Sequence, residues 1–243
     1  MQLMKIIFIS ILIICFVTSC SLISKMPSDN ILYQKAIQNA IYPEKTKIDT
    51  NLVAITEQNP DIVWKTIKNE KYILVVAWKQ NVDFYKKYLD TLYNTGSYPI
   101  WVTTASELKK RFKNEVVKDT TMRLKQLLGL PPTATYSYFV EFWVKPKDLF
   151  RPCPDKEIND KKCETCFTSN SDTKHIKWIN DNRISRYYQC NLYDQYPWTQ
   201  LGYTYDWCPN NKSHIGVSEF VIDINKNIMV NKIYTTSKYI NIK

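Results

Sequence analysis

The stretch TYSYFVEFWV, residues 135–144, carries the strongest strand signal in the chain. Aromatic and β-branched side chains occupy most of its positions, and such side chains fit the pleated surface of a sheet. Successive side chains of a strand point to opposite faces, so Phe139, Glu141 and Trp143 share one face. The stretch therefore predicts a strand that carries one acidic residue in an otherwise apolar row.

Other apolar segments extend this strand into a predicted sheet. YILVVAW (72–78) is a compact apolar run typical of a central strand, and YPIWVTT (98–104) predicts another strand. Apolar alternation flanks the turn sequence Asn-Lys-Asn at 225–227. This pattern predicts that residues 215–237 form a closing hairpin.

Four segments have the signals of helices: 28–43, 105–113, 120–132 and 175–188. Pro43 ends the first, and Gly129 with the prolines after it ends the third. Because these helices do not alternate regularly with the strands, a doubly wound parallel sheet is disfavoured. We predict a single α+β domain with a mainly antiparallel sheet, a few short helices and a disulfide-stapled polar loop.

The composition limits the classes of partner. The chain has 243 residues, 44% of them hydrophobic, which is enough to build a core. Its net charge is +10, but only five of the 33 basic residues are arginines and the lysines are dispersed, so we expect no nucleic-acid partner. The charge instead favours diffuse attraction to anionic lipid headgroups or acidic glycans. Four glycines are too few for a glycine-rich phosphate loop.

The amino terminus has the features of an export signal. Lys5 precedes an apolar run at 6–17, which is too short to span a bilayer comfortably. Val17-Thr18-Ser19-Cys20 then places an aliphatic residue and two small residues before a cysteine. This segment resembles the lipobox of bacterial lipoproteins, and the resemblance covers only the start of the chain.

The lipobox resemblance implies that the protein is located in the bacterial cell envelope. It implies a signal peptide at 1–19, lipidation of Cys20 by diacylglycerol and an acyl chain such as palmitate, and a lipidated tether at 20–28. The globular domain would then occupy residues 29–243, and the membrane would be a partner through the lipid anchor. Ser21, standing where Asp would retain a lipoprotein at the inner membrane, implies the outer membrane.

The remaining cysteines predict structural disulfides, because envelope compartments tend to oxidise thiols. The candidates are Cys153, Cys163, Cys166, Cys190 and Cys208. Cys190 and Cys208 could pair with each other, and Cys153 could pair with Cys163 or with Cys166. Because five is an odd number, at least one thiol stays free, binds a ligand or pairs between molecules.

Zinc and redox chemistry are the alternatives for these cysteines. Cys163 and Cys166 form one CxxC, which is half a zinc site and would need ligands such as Cys153 or His175. A redox CxxC normally follows a strand and begins a helix, whereas this one follows a polar segment. We therefore predict no metal site and no cofactor.

The sequence contains no complete catalytic motif, which favours binding over catalysis. Glu141 and Glu219 each interrupt an apolar row, so the two could form a carboxylate pair for glycan cleavage if their strands were neighbours. Alternatively, each acid forms an ion pair or guards a sheet edge. His214 is a weak catalytic candidate, and Ser218 lies in an incomplete nucleophile elbow that lacks its second glycine.

An aromatic-rich segment, residues 187–207, supplies the binding candidates. It holds eight aromatic residues in 21 positions, and these residue types suit core packing, sugar stacking and protein interfaces alike. The candidates are Trp198, Tyr203, Tyr205 and Trp207. The leading hypothesis is a lipid-anchored binding or assembly module for an envelope glycan or a partner protein. The alternatives are an envelope hydrolase that uses Glu141 and Glu219, and a purely structural lipoprotein.

Overall fold

The computed structural model of the protein describes residues 27–113, 115 and 117–241. The expected signal peptide, Cys20 and residues 20–26 of the expected tether lie outside these residues. None of the described helices has the length and apolar character needed to cross a membrane.

Helices and strands both contribute to the described part of the chain. The helices are α1 Asp29–Ala40, α2 Asp83–Lys86, α3 Ala105–Lys113, α4 Thr120–Leu127, α5 Thr173–Tyr187 and α6 Thr236–Ile240. The strands are β1 Trp64–Ile67, β2 Glu70–Lys79, β3 Leu92–Asn94, β4 Ile100–Thr104, β5 Tyr138–Val144, β6 Leu149–Phe150, β7 Tyr203–Tyr205, β8 Ile215–Ser218, β9 Phe220–Ile222 and β10 Asn227–Thr235. The four helices expected from sequence correspond to α1, α3, α4 and α5. Asp119 and Asp172 accept backbone hydrogen bonds at the starts of α4 and α5, as capping residues do.

Eight strands form one sheet in the order β3-β10-β5-β2-β4-β9-β6, with β1 added to β2. Every strand pair in this sheet is antiparallel. β5, which corresponds to the opening stretch, lies near the middle of the sheet between β10 and β2. β7 and β8 form a separate two-stranded sheet. The predicted α+β fold with a mainly antiparallel sheet is confirmed.

The predicted closing hairpin is wrong. β9 pairs with β4 and β6, whereas β10 pairs with β3 and β5. The connection between them does not turn back on itself, because it is bonded to the loop that joins β3 to β4. The Asn225 N–H donates to the Gly96 carbonyl at 2.7 Å, and the Thr95 N–H donates to the Lys226 carbonyl at 2.9 Å.

An apolar core lies on one face of the sheet, and most of the strands contribute to it. Its members include Val75, Val102, Phe142, Phe220 and Val230.

Helices cover the opposite face of the sheet. Val76 of β2 and Phe139 of β5 pack there against residues of α3, α4 and α6, among them Leu108, Leu124 and Tyr239. This helix-covered face carries the side chains of β2 and β5 that do not enter the inner core, and the candidate site lies on it.

The polar loop after β6 is stapled as predicted. Cys153 and Cys163 form a disulfide across ten residues, and both are fully buried. The buried Arg151 stabilises the loop, because its guanidinium donates to the backbone carbonyls of Glu157 and Asp160 at 2.9 and 2.8 Å. The loop has few apolar residues, so covalent and polar contacts replace a core of its own.

The expected pairing of Cys190 with Cys208 does not occur. Both are free thiols, and Cys166 is a free, exposed thiol as well. Cys190 is exposed just beyond α5. Cys208 is partly buried, and its backbone N–H donates to the Asp206 carboxylate at 3.1 Å. The intervening segment is fixed by its own packing rather than by a disulfide.

Candidate binding site

A cavity of about 280 Å³ lies on the helix-covered face of the sheet. One side is formed by β2 and β4, and the other by the segment 196–205. The turn after α4 and the end of α5 close its margins. Residues lining it include Trp78, Lys79, Trp101, Phe139, Tyr136, Arg186, Tyr196, Trp198, Tyr203, Tyr205 and Glu219.

Eight of the residues that line the cavity are aromatic. Trp78 stacks on Phe139 with ring centroids 5.7 Å apart, and Tyr136 lies 5.5 Å from Trp78. Trp101 of β4 meets Trp198 of the facing segment edge to face, with ring centroids 5.8 Å apart. Such rings offer flat apolar faces, which suit stacking against a ligand with apolar faces of its own.

Helix α5 positions Arg186 at the cavity. Trp178, two turns earlier on the helix, packs against Phe150 and Trp101 with centroids 4.8 and 5.7 Å away. This docking brings the last turn of α5 over β4. The Arg186 guanidinium then lies 4.8 Å from the Trp101 ring centre and 5.0 Å from that of Tyr196. These are cation–π distances, which help to hold a desolvated guanidinium in place.

The charge of the Arg186 guanidinium is not neutralised by a partner in the described part of the chain. No residue there forms an ion pair or a hydrogen bond with this group. Burial lowers the pKa of Arg186, and the nearby Glu219 carboxylate opposes that effect. The group remains a cation, because an arginine keeps its proton in proteins.

Glu219 enters the cavity from the single residue that separates β8 from β9. Its backbone N–H donates to the Gly202 carbonyl at 2.8 Å, which fixes the chain at this point. Burial raises the pKa of the Glu219 carboxyl to about 8, although Arg186 pulls in the opposite direction. The carboxyl is therefore mostly protonated at neutral pH and can donate as well as accept hydrogen bonds.

Lys79, the last residue of β2, brings a second cationic side chain to the cavity. Burial lowers the pKa of its ammonium group to about 8. Among the described residues, none pairs with this ammonium group. The cavity thus combines two basic side chains with one acid that favours its neutral form.

Three of the four aromatic candidates line the cavity, namely Trp198, Tyr203 and Tyr205. Trp207 does not. It packs edge to face on Tyr33 of α1 with ring centroids 5.9 Å apart, and its indole N–H donates to the Leu130 carbonyl at 3.0 Å. Its position is explained by core packing between α1 and the segment after β7.

Sequence reasoning missed much of the site. Trp78, Trp101 and Tyr136 come from strands or loops distant from the aromatic-rich segment, and Arg186 was seen only as part of a helix. One signal was available for Trp101. Its alternation with the apolar Ile100 and Val102 places a bulky ring on the opposite face of β4.

Glu141 lies away from the cavity. Strands β2 and β4 separate β5 from β9, so Glu141 and Glu219 are carried by chain segments about 14 Å apart. Lys109 pairs with the Glu141 carboxylate at 3.2 Å, and the Asn231 amide donates to it at 2.9 Å. The two acids therefore do not form the close pair that the hydrolase hypothesis requires, because Glu141 is ion-paired instead.

His214 and Ser218, the weaker catalytic candidates, make contacts that hold the fold together. His214 is stacked on Tyr205 at 4.9 Å, and its Nδ1 lies 2.9 Å from the Asp206 carbonyl. The Ser218 hydroxyl donates to Glu107 at 3.0 Å and accepts from the Val53 N–H at 2.8 Å. Neither residue is among those that line the cavity.

One group in the described residues has the composition of a metal site. Side-chain atoms of Cys153, Asp155 and Cys163 lie within 4.8 Å of one another. Both sulfurs are bonded to each other, so neither is a thiolate ligand in this form. His175 is turned to the backbone, with Nε2 2.7 Å from the Cys153 carbonyl. The arrangement is that of a stapled loop.

The sequence matches no protein-family model, no curated protein and no solved structure. The ligand class proposed for the chain therefore rests on the geometry of the cavity.

Proposed function

We propose that the protein is a non-enzymatic saccharide-binding module, anchored by lipid in the bacterial cell envelope, and that its ligand occupies the aromatic cavity. One observation carries this proposal. Aromatic walls and three ionisable side chains, Lys79, Arg186 and Glu219, converge on one concave site of about 280 Å³. A mostly apolar concavity with a few convergent polar groups is the usual form of a small-ligand site.

The concave shape favours a small ligand over a partner protein. A protein interface would need an exposed aromatic patch, yet Trp198, Tyr203 and Tyr205 are all buried. These residues line a concave space that admits a small molecule rather than a flat surface that another domain could cover. The volume of about 280 Å³ is just below the usual range for ligand pockets, about 300 to 1,000 Å³, and matches a ligand of one sugar ring rather than a long oligomer.

The chemistry of the lining favours a saccharide. A sugar ring has apolar faces that stack on aromatic rings and a rim of hydroxyl groups that donate and accept hydrogen bonds. Trp78, Trp101 and Trp198 supply the stacking surfaces. A protonated Glu219 can both donate to and accept from hydroxyl groups, and the basic side chains act as donors.

The hydrolase alternative receives less support from the same geometry. Glycan cleavage by two carboxyl groups needs them within roughly 10 Å of each other on either side of the scissile bond. Glu219 has no second carboxylate among the residues that line the cavity. Binding without cleavage is the function that these side chains support.

The proposed localisation in the cell envelope rests on the amino-terminal sequence. The apolar run, the small residues and Cys20 resemble a lipobox, and Ser21 favours the outer membrane. A lipid anchor would keep a glycan-binding domain beside the envelope polymers that carry its ligand. Localisation by fractionation, with Cys20→Ala as the unanchored control, tests this part of the proposal.

The binding function is tested by replacing one cavity wall. We expect Trp101→Leu to weaken binding of soluble envelope-glycan fragments by about tenfold, since an aromatic face that buries apolar ligand surface contributes on the order of 1.5 kcal/mol. Titration calorimetry of the mature chain measures the loss. Trp143→Leu is the matched control, because Trp143 lies on the same sheet, outside the cavity.

The two variants separate binding from folding. Thermal unfolding of each establishes that the domain remains folded at the temperature of the titration. Equal affinities for Trp101→Leu, Trp143→Leu and the unchanged protein would show that the cavity is not where the glycan binds. Release of reducing ends during the titration would replace binding by cleavage.

A further inference from the structure

We infer that the saccharide held in the cavity is acidic, and that Arg186 binds its carboxylate. This inference rests on the proposed function and names the chemical class of its ligand. Three sets of observations lead to it: the setting of Arg186, the excess of basic over acidic side chains in the cavity, and the net charge of the whole chain.

The setting of Arg186 leaves its donor edge for a ligand. Its guanidinium lies against the rings of Trp101 and Tyr196, at 4.8 and 5.0 Å. A cation–π contact does not supply an oxygen acceptor to the N–H groups of the guanidinium. None of the described residues accepts a hydrogen bond from these groups. A planar guanidinium donates two parallel hydrogen bonds to a carboxylate, which makes a carboxylate its best-matched partner.

Glu219 does not fill that role. The Glu219 carboxyl and the Arg186 guanidinium do not form one of the ion pairs of the described residues. Glu219 is set in a desolvated position whose pKa is raised, so its neutral form is favoured at neutral pH. The acid thus fits the hydroxyl groups of a sugar, while the arginine remains for an anionic group.

The charged side chains of the cavity are mainly basic. The Lys79 side chain contributes a second cationic group at the end of β2. Glu219 is the one acid among the residues that line the cavity, and burial raises its pKa. Two basic side chains beside one acid that favours its neutral form select a ligand that carries a negative charge.

The net positive charge of the whole chain also favours an anionic ligand. A net charge of +10 attracts anions and repels cations at the distance where encounters begin. A sugar acid benefits from this field, and a neutral sugar does not. The carboxylate would thus gain from long-range attraction and from the direct contact with Arg186.

The experiment compares matched neutral and acidic sugars. Glucose, galactose and mannose are each titrated against the corresponding uronic acid, which differs only in the carboxylate that replaces the terminal hydroxymethyl group. We expect at least one uronic acid to bind about tenfold or more tightly than its neutral partner. Raising the salt concentration should reduce this preference.

Two arginine variants locate the contact. Arg186→Gln should abolish the preference for the acid, and Arg186→Lys should retain only part of it, because lysine keeps the charge and lacks the planar fork. Arg183→Gln is the matched control. Arg183 lies on the same helix, and it is not among the residues that line the cavity.

The outcomes distinguish the two proposals. Equal binding of neutral and acidic sugars, or an acid preference that survives in Arg186→Gln, overturns the inference and leaves the saccharide-binding function standing. Binding of none of the six sugars overturns both. Because the comparison of sugars uses the unchanged protein, it remains decisive even if an arginine variant fails to fold.

Discussion

At the scale of the residue, Glu219 is the one acid among the residues that line the cavity, and its pKa is strongly raised. Three elements meet around it: the junction of β8 and β9, the end of α5 that carries Arg186, and the Gly202 backbone. Lys79 and the tyrosines at positions 136, 196, 203 and 205 are the other titratable groups that line the cavity. Burial dominates over the favourable charge of Arg186, so the carboxyl retains its proton well above its ordinary pKa.

This shift in pKa makes stability depend on pH. The Glu219 pKa is about 8 in the folded chain, against an ordinary value of 4.5. Between these values the folded state binds the extra proton, so the free energy of unfolding falls as pH rises, by about 1.4 kcal/mol per pH unit at most. We expect Glu219→Gln to remove this slope and to be more stable than the unchanged protein near pH 8. Urea unfolding at several pH values measures it.

The matched control is Glu57→Gln, because Glu57 is an exposed acid paired with Lys71. Burial lowers the pKa values of His175 and Lys79, so these two groups make the free energy of unfolding rise with pH rather than fall. Both residues are unchanged in the two variants. Their contributions cancel when the variants are compared with the unchanged protein. Parallel pH profiles for Glu219→Gln and Glu57→Gln would contradict the raised pKa.

Gly202 shows a second residue-scale constraint, where the segment before β7 crosses the stapled loop. Its φ is +75°, and an added Cβ would lie 2.6 Å from the Cys163 sulfur and 2.7 Å from Arg151 Cδ. We expect Gly202→Ala to destabilise the domain by about 2–4 kcal/mol, through backbone strain and overpacking together. Thermal or urea unfolding gives the value.

Gly96→Ala separates the two causes. Gly96 has a similar φ of +56°, but an added Cβ there has no atom within 4 Å. The control should therefore lose only the cost of the left-handed backbone, about 1–2 kcal/mol. Equal losses in the two variants would mean that the contact with Cys163 and Arg151 contributes nothing.

At the scale of the element, the stapled loop depends on its disulfide. We expect the double replacement Cys153→Ser with Cys163→Ser to lower the free energy of unfolding by about 3 kcal/mol, because a closed loop of this length restricts the unfolded chain by about that amount. Denaturant unfolding of the oxidised protein and of the variant measures the difference.

Cys166→Ser is the control for that change, since Cys166 is free and exposed beside the same loop. It should leave stability unchanged within about 0.5 kcal/mol, as surface substitutions usually do. If the double variant were as stable as this control, the buried Arg151 and its backbone contacts would suffice to hold the loop.

Elements differed in how well the sequence predicted them. β2, β4 and β5 were recognisable because long apolar or aromatic runs need a buried surface, and α1, α3, α4 and α5 were recognisable from spacing and from residues that begin or end helices. The hairpin at 215–237 failed for a different reason. Apolar alternation identifies strands but not their partners, and here β9 and β10 pair with strands far apart in the sheet.

At the scale of the whole molecule, the cavity is a product of topology. Its walls come from β2, β4, the turn after α4, the end of α5 and the segment 196–205. These parts are distant in sequence, and the strand order together with the packing of the helices brings them to one face of the sheet. The same topology keeps Glu141 apart from Glu219, because two strands lie between the segments that carry them.

Local composition and spacing were enough to specify the fold class, most of the helices and strands, the stapled loop, and three aromatic members of the site. These properties arise within a segment of chain, so the segment's own residues determine them. The pairing of the strands, the cysteines that remain free, and the convergence of Arg186, Lys79, Trp101 and Glu219 on one cavity arise at the tertiary level. Those properties depend on contacts between distant segments, and local patterns do not specify the partner of a strand or of a charge.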